Sequence, residues 1–318
     1  MIRKRLRFTF LLALACFLAC AQFSPSARAQ TPPEFVPHTN GIEIPYEYTG
    51  GHMIAVRGSV GTHRNLQFLV DFGTTYTLLD RSLVSEKADG QKMDITHFSS
   101  SIQSAETVVP EFTIGGLVLK DFHAFVVDMS QIPAAPPETY GVIGLDVLQR
   151  QNVTVDFIEQ KLVLNSEAYG EHEAPLLKCE TGLAVNAAWK GLPVRLALST
   201  GVGVVTLDQD RIGQKPIKLH GLKKTTISSN FTVTPVSLFQ TKEITLNDMQ
   251  LQGPGLLRKM AWPYPKDELD GFLPLLALHA SRVTVDFERG LLLWDSVKDS
   301  TETASRPTKG VPRQSLKP

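Results

Sequence analysis

Two short segments of this 318-residue chain place residue types where acid chemistry is possible. The first runs Leu66-Gln67-Phe68-Leu69-Val70-Asp71-Phe72-Gly73-Thr74-Thr75. Its apolar stretch has the pattern of a buried strand and delivers Asp71 into a turn made by Phe72, Gly73, Thr74 and Thr75. A carboxylate at a buried strand end is costly unless it is paired or used, which makes Asp71 a candidate for general acid or base work. The competing reading is the ordinary fate of a turn aspartate, which bonds to its own backbone two residues on. The second segment, Val194-Arg195-Leu196-Ala197-Leu198-Ser199-Thr200-Gly201, echoes the first at an offset of 199 − 71 = 128, with Ser199 where the first has Asp71. A serine hydroxyl does not ionise near neutral pH, so the two positions together hold one acid.

The echo is part of a longer repeat. Tyr140-Gly141-Val142-Ile143-Gly144-Leu145, followed by 153–157, returns as Asp270-Gly271-Phe272-Leu273-Pro274-Leu275, followed by 283–287, at 286 − 156 = 130. Glu111-Phe112-Thr113-Ile114 is answered more loosely by Glu243-Ile244-Thr245-Leu246. Blocks that recur in order at nearly one offset imply a duplicated unit. Within each copy the segments are short, alternating and separated by Gly, Pro, Asn or Asp, which is strand and turn spacing. Helical patterns are short and confined to 144–150 and 275–281. The expectation is a mostly all-β chain of two tandem homologous lobes, each a small closed barrel or sandwich, because closure removes exposed strand edges. The expected divisions are a signal peptide at 1–29, a lead-in at 30–50, lobes at 51–168 and 169–298, and a disordered tail at 299–318.

Asp71, Gly73, Thr74 and Thr75 after an apolar strand resemble the motif of the pepsin and retropepsin group of aspartic peptidases. Gly141-Val142-Ile143-Gly144 is similar to the apolar pair and glycine that cross behind the catalytic loop there. The resemblance covers roughly 51–297, looks closest to bacterial exported proteins of the retropepsin-like type, and implies two β-barrel-like lobes facing each other across a cleft. It also implies that Asp71 is catalytic, that Gly73, Thr74, Thr75, Thr200 and Gly201 line the substrate, and that 92–108, with His97, Phe98, Ser99 and Ser100 near its tip, is a flap. Three positions depart from the family pattern. Ser199 stands for the second acid, Phe72 for a hydroxyl residue that would bond across to the other loop, and Pro274 for the glycine answering Gly144.

Charge and composition narrow the partners. Arg3 to Arg7 form a basic start, Phe8 to Phe23 is mainly apolar, and Ala27-Arg28-Ala29 has small residues where signal peptidase cuts, so the chain is expected to be exported, to the periplasm or beyond. Phe17 is unsuited to lipid attachment at Cys20. Without residues 1–29, the 32 basic residues fall to 27 against 32 acidic, a net −5, which argues against a nucleic-acid binder. After the leader no apolar run approaches the roughly 20 residues of a membrane span. Only Cys179 remains outside the leader, so no internal disulfide is expected. The eight histidines lack metal-ligand spacing, and neither metal nor cofactor is expected. Asp156 and Asp286 occupy the same element of each repeat and are read as fold residues. Gly201-Val202-Gly203 is read as the altered second loop rather than a nucleotide loop. Asp71-Phe72-Gly73 lacks the other kinase motifs. The glycosylation patterns at Asn152 and Asn230 are read as chance.

The leading expectation is therefore an aspartic-protease-fold protein with weak or no peptidase activity that binds an extended peptide. The alternatives are an endopeptidase in which a dimer supplies the second acid to Asp71, a different hydrolysis with Asp71 as base and Ser199 as auxiliary, and a non-enzymatic scaffold.

Overall fold

The structure is a computed structural model and describes residues 41–84, 90, 92–97, 100–132, 135–179, 182–216, 222–228, 233–260 and 269–297. The expected leader, most of the lead-in, the tail, Phe98, Ser99 and Asn230 lie outside these residues. Among them no helix is long and apolar enough to cross a membrane.

The first half contains β1 (Ile42–Thr49), β2 (Met53–Val60), β3 (His63–Val70), β4 (Leu78–Asp80), β5 (Lys92–His97), β6 (Ser100–Ile114), β7 (Leu117–Val127), β8 (Thr139–Ile143), β9 (Val153–Asp156) and β10 (Lys161–Leu164). Among its described residues the only α-helical turn is α1 (Leu145–Leu148). Six strands close a ring in the order β3, β2, β6, β7, β4, β8 and back to β3. Alternation drives this closure. Phe68, Val70, Phe112, Ile114, Leu119 and Phe122 all turn inward to a core that water does not reach. The end of the expected lead-in is ordered, since β1 pairs with both β2 and β10.

The second half repeats this plan with β11 (His172–Cys179), β12 (Gly182–Trp189), β13 (Leu192–Ser199), β14 (Val205–Asp208), β15 (Lys223–Ser228), β16 (Val233–Gln240), β17 (Ile244–Leu246), β18 (Met249–Gln250), β19 (Pro254–Arg258), β20 (Gly271–Pro274), β21 (Ala280–Asp286) and β22 (Leu291–Ser296). A short helix, α2 (Gln209–Gly213), follows β14. The registers match across halves. Val70 lies opposite Ile143 in a parallel pair, and Leu198 lies opposite Leu273 in another. Here the long β6–β7 hairpin is split in two, because a 3-10 turn at Thr241–Glu243 interrupts its first arm between β16 and β17. The halves share one sheet edge, where β9 runs antiparallel to β21 and the buried hydroxyls of Thr154 and Thr284 meet at 2.7 Å.

Candidate functional site

Asp71 follows β3 and Ser199 ends β13, and because the two ladders are equivalent both residues emerge at the same place in each half. The structure brings them together. Ser199 Oγ donates to Asp71 Oδ1 at 3.0 Å. The same oxygen accepts the backbone N–H groups of Gly73 at 3.0 Å, Thr200 at 2.9 Å and Gly201 at 3.1 Å. Asp71 Oδ2 accepts the Thr74 hydroxyl at 2.9 Å. The Gly201 N–H also reaches Ser199 Oγ at 3.0 Å, so the serine hydroxyl gives its proton to Asp71 and takes one from the backbone.

This closeness depends on two missing side chains. A Cβ on Gly73 would stand 3.0 Å from Ser199 Cβ, and one on Gly201 would stand 3.2 Å from Asp71 Oδ2. Thr200 Oγ1 donates across the halves to the carbonyl of Val70. The reciprocal bond is absent because its position is Phe72, whose ring is 0% exposed and packs into the core. Of that reciprocal pair of hydroxyl-to-carbonyl bonds, the arm from Thr200 is the one present.

Behind the first loop, residues 144–146 stitch it in place. Leu145 N–H donates to Thr74 O at 2.8 Å and Asp146 N–H to Thr75 O at 3.1 Å. The Asp146 carboxylate accepts the N–H of Thr77 at 2.9 Å and its hydroxyl at 2.7 Å, and the same hydroxyl accepts the Gly144 N–H at 3.1 Å. Burial pushes the Asp146 carboxyl above its ordinary range, against the bonds from Thr77 and Val147 and the charge of Arg150. In the second half the corresponding positions, read from the registers, are Val205 for Thr77, Pro274 for Gly144 and Leu276 for Asp146. A hydroxyl, an N–H and a carboxylate have thus been exchanged together for groups that neither give nor need those bonds.

Sequence reasoning missed His52. Its Nε2 faces the Gly201 carbonyl at 3.3 Å and its Nδ1 the Gly50 carbonyl at 3.2 Å, so it reaches the second loop from the β1–β2 turn. No local pattern marks it, since its partner is 149 residues away. Both ring nitrogens are turned to backbone carbonyls, so His52 supplies no base to Ser199. Within the expected flap segment, 92–108, β5 pairs with β6, with Lys92 opposite Ala105, and β15 pairs with β16 in the second half. Asp156 and Asp286 each hold the turn after their strand by accepting two backbone N–H groups. Asn152 Oδ1 accepts the Phe287 N–H, a link between the halves.

Residues 56–147 match the family model for aspartyl proteases. Among solved structures the chain is similar to the aspartic proteinase from Irpex lacteus, with a TM-score of 0.49 and 13% identity over 79% of this chain and 96% of that one. No curated protein matches. The chain is mostly β and similar to the pepsin- and retropepsin-like aspartic peptidases, and the match covers Asp71, Gly73, Thr74, Thr75 and Asp146.

Proposed function

We propose that this aspartic-peptidase-like chain is an exported protein, periplasmic or secreted, that binds extended peptide in a cleft between lobes 51–168 and 169–298 and cuts it weakly or not at all. One observation carries the reading: the group that meets Asp71 across the junction is the Ser199 hydroxyl, at 3.0 Å. Hydrolysis by this family's chemistry needs two carboxylates sharing a proton, one ionised to activate water and the other protonated to polarise the scissile carbonyl. A hydroxyl that donates to Asp71 neither ionises nor shares a proton in that way. Removing one member of such a unit removes most of the rate. Binding is separable, because an extended peptide is held by main-chain bonds and side-chain pockets. The β5–β6 and β15–β16 pairs, one from each half, support that mode.

A dimer that brings a second acid to Asp71 is disfavoured by the same geometry, since Ser199, Thr200 and Gly201 of the same chain occupy that approach. The export reading rests on residues 1–29 alone. The test is fluorescence anisotropy of labelled decapeptide pools with mass spectrometry of the bound fraction. Peptides retained at unchanged mass are expected; no retention at all, or retention only of fragments, contradicts the proposal.

A further inference from the structure

We infer, on the reading that the cleft holds an extended peptide, that the ligand presents a primary ammonium, either a lysine side chain or an N-terminal amine, to Oδ2 of Asp71. The argument starts from how unevenly the carboxylate is used. Oδ1 accepts from Gly73, Ser199, Gly201 and both the N–H and the hydroxyl of Thr200, whereas among the described residues Oδ2 accepts only from Thr74. A carboxylate offers about four acceptor sites over its two oxygens, so the open capacity lies on Oδ2. Asp71 is only partly buried, and among the described residues no Lys, Arg or His side chain pairs with it. His52, the nearby cation-capable group, turns its ring nitrogens to the Gly50 and Gly201 carbonyls and not to Asp71.

A peptide laid over this carboxylate takes it out of water. Burying an unpaired charge is costly, and a cation on the ligand removes that cost while an apolar or acidic residue does not. Arginine fits less well than an ammonium. Its fork binds best when both carboxylate oxygens are open, and here Oδ1 is committed to donors on four residues, so a single-point donor matches the site.

The test uses acetylated, C-terminally labelled decapeptide pools, randomised over uncharged residues, with the centre fixed as lysine, arginine, norleucine or glutamate. A further norleucine pool carries a free N-terminus. The central-lysine or free-amine pool is expected to bind about tenfold tighter than acetylated norleucine, with glutamate weakest. Which of the two gains identifies the source of the ammonium. The preference is expected to shrink as salt rises and to fall to about onefold in Asp71→Asn. Should that variant fail to fold, the salt dependence of the unaltered protein decides. Equal binding of lysine and norleucine pools overturns this inference and leaves peptide binding standing. Binding of no pool overturns both.

Discussion

Ser199→Asp is the substitution whose consequence follows most directly from the site. It sets a second carboxylate about where Ser199 Oγ now lies, 3.0 Å from Asp71 Oδ1. Two like charges that close cannot both ionise, so one carboxyl of the pair titrates well above its ordinary range in the folded protein. A raised folded value means that stability is kept at low pH and lost as pH rises. The variant is therefore expected to melt near the unaltered protein at pH 4 and to lose ~1–3 kcal/mol at pH 7, read by thermal melts at both pH values. An equal loss at both would place the two carboxyls apart. Gly73→Ala is expected to cost ~1–3 kcal/mol in the same melts, because its Cβ would press on Ser199 and the Leu198 carbonyl. Asp71, Gly73, Thr74, Thr200 and Gly201 were legible as a cluster because the repeat places them at equivalent strand ends. His52 was not, because what gives it a role is a carbonyl on the other half, and one turn histidine between two glycines and a methionine looks like any surface residue.

At the scale of elements, the duplicated halves offer a comparison within one molecule. The first fixes its loop with the Thr77, Gly144 and Asp146 bonds, and the second holds Val205, Pro274 and Leu276 in their place. Removing one partner of a buried polar pair strands the other, while replacing both with apolar groups of similar shape is much milder. Thr77→Val and Asp146→Leu are each expected to destabilise by ~1–3 kcal/mol, with the double variant losing clearly less than the sum, in a double-mutant cycle by urea unfolding. A strictly additive pair would mean that the stitch is not a unit. The short strands and the brief helical turns at 145–148 and 275–278 could be read from alternation and spacing. The break between β16 and β17 could not. Thr241–Glu243 carries no Gly or Pro, and the turn is set instead by bonds from Thr241 to the Gly253 carbonyl, which only the folded chain brings near.

For the whole molecule, the shared β9–β21 edge and the links through Thr154, Thr284 and Asn152 tie the halves at a distance from the acid. Asp286 closes this edge. Its burial alone would raise its carboxyl, but bonds from Arg289 and Glu288 and the Arg289 charge outweigh that and hold it below the ordinary 3.8. A depressed folded value contributes stability above about pH 4 that is lost as pH falls through it. Asp286→Asn is therefore expected to lower the melting temperature at pH 7 and to flatten its fall between pH 5 and pH 2, and an unchanged acid limb would contradict this. Two-fold repetition was legible over roughly 51–297 because strand and turn spacing recur. That Ser199 stands opposite Asp71 was legible from the repeat. How Asp71 shares out its bonds was not, since that depends on donors from three loops meeting in space. The most direct measurement of the central claim is cleavage of a diverse peptide library by the purified protein from pH 3 to pH 7, with Asp71→Asn alongside. The site as built predicts that the peptides stay intact with both proteins, or nearly so. Efficient cleavage by the unaltered protein that disappears in Asp71→Asn would mean that Asp71 does find a second acid, and the binding-only reading would be wrong.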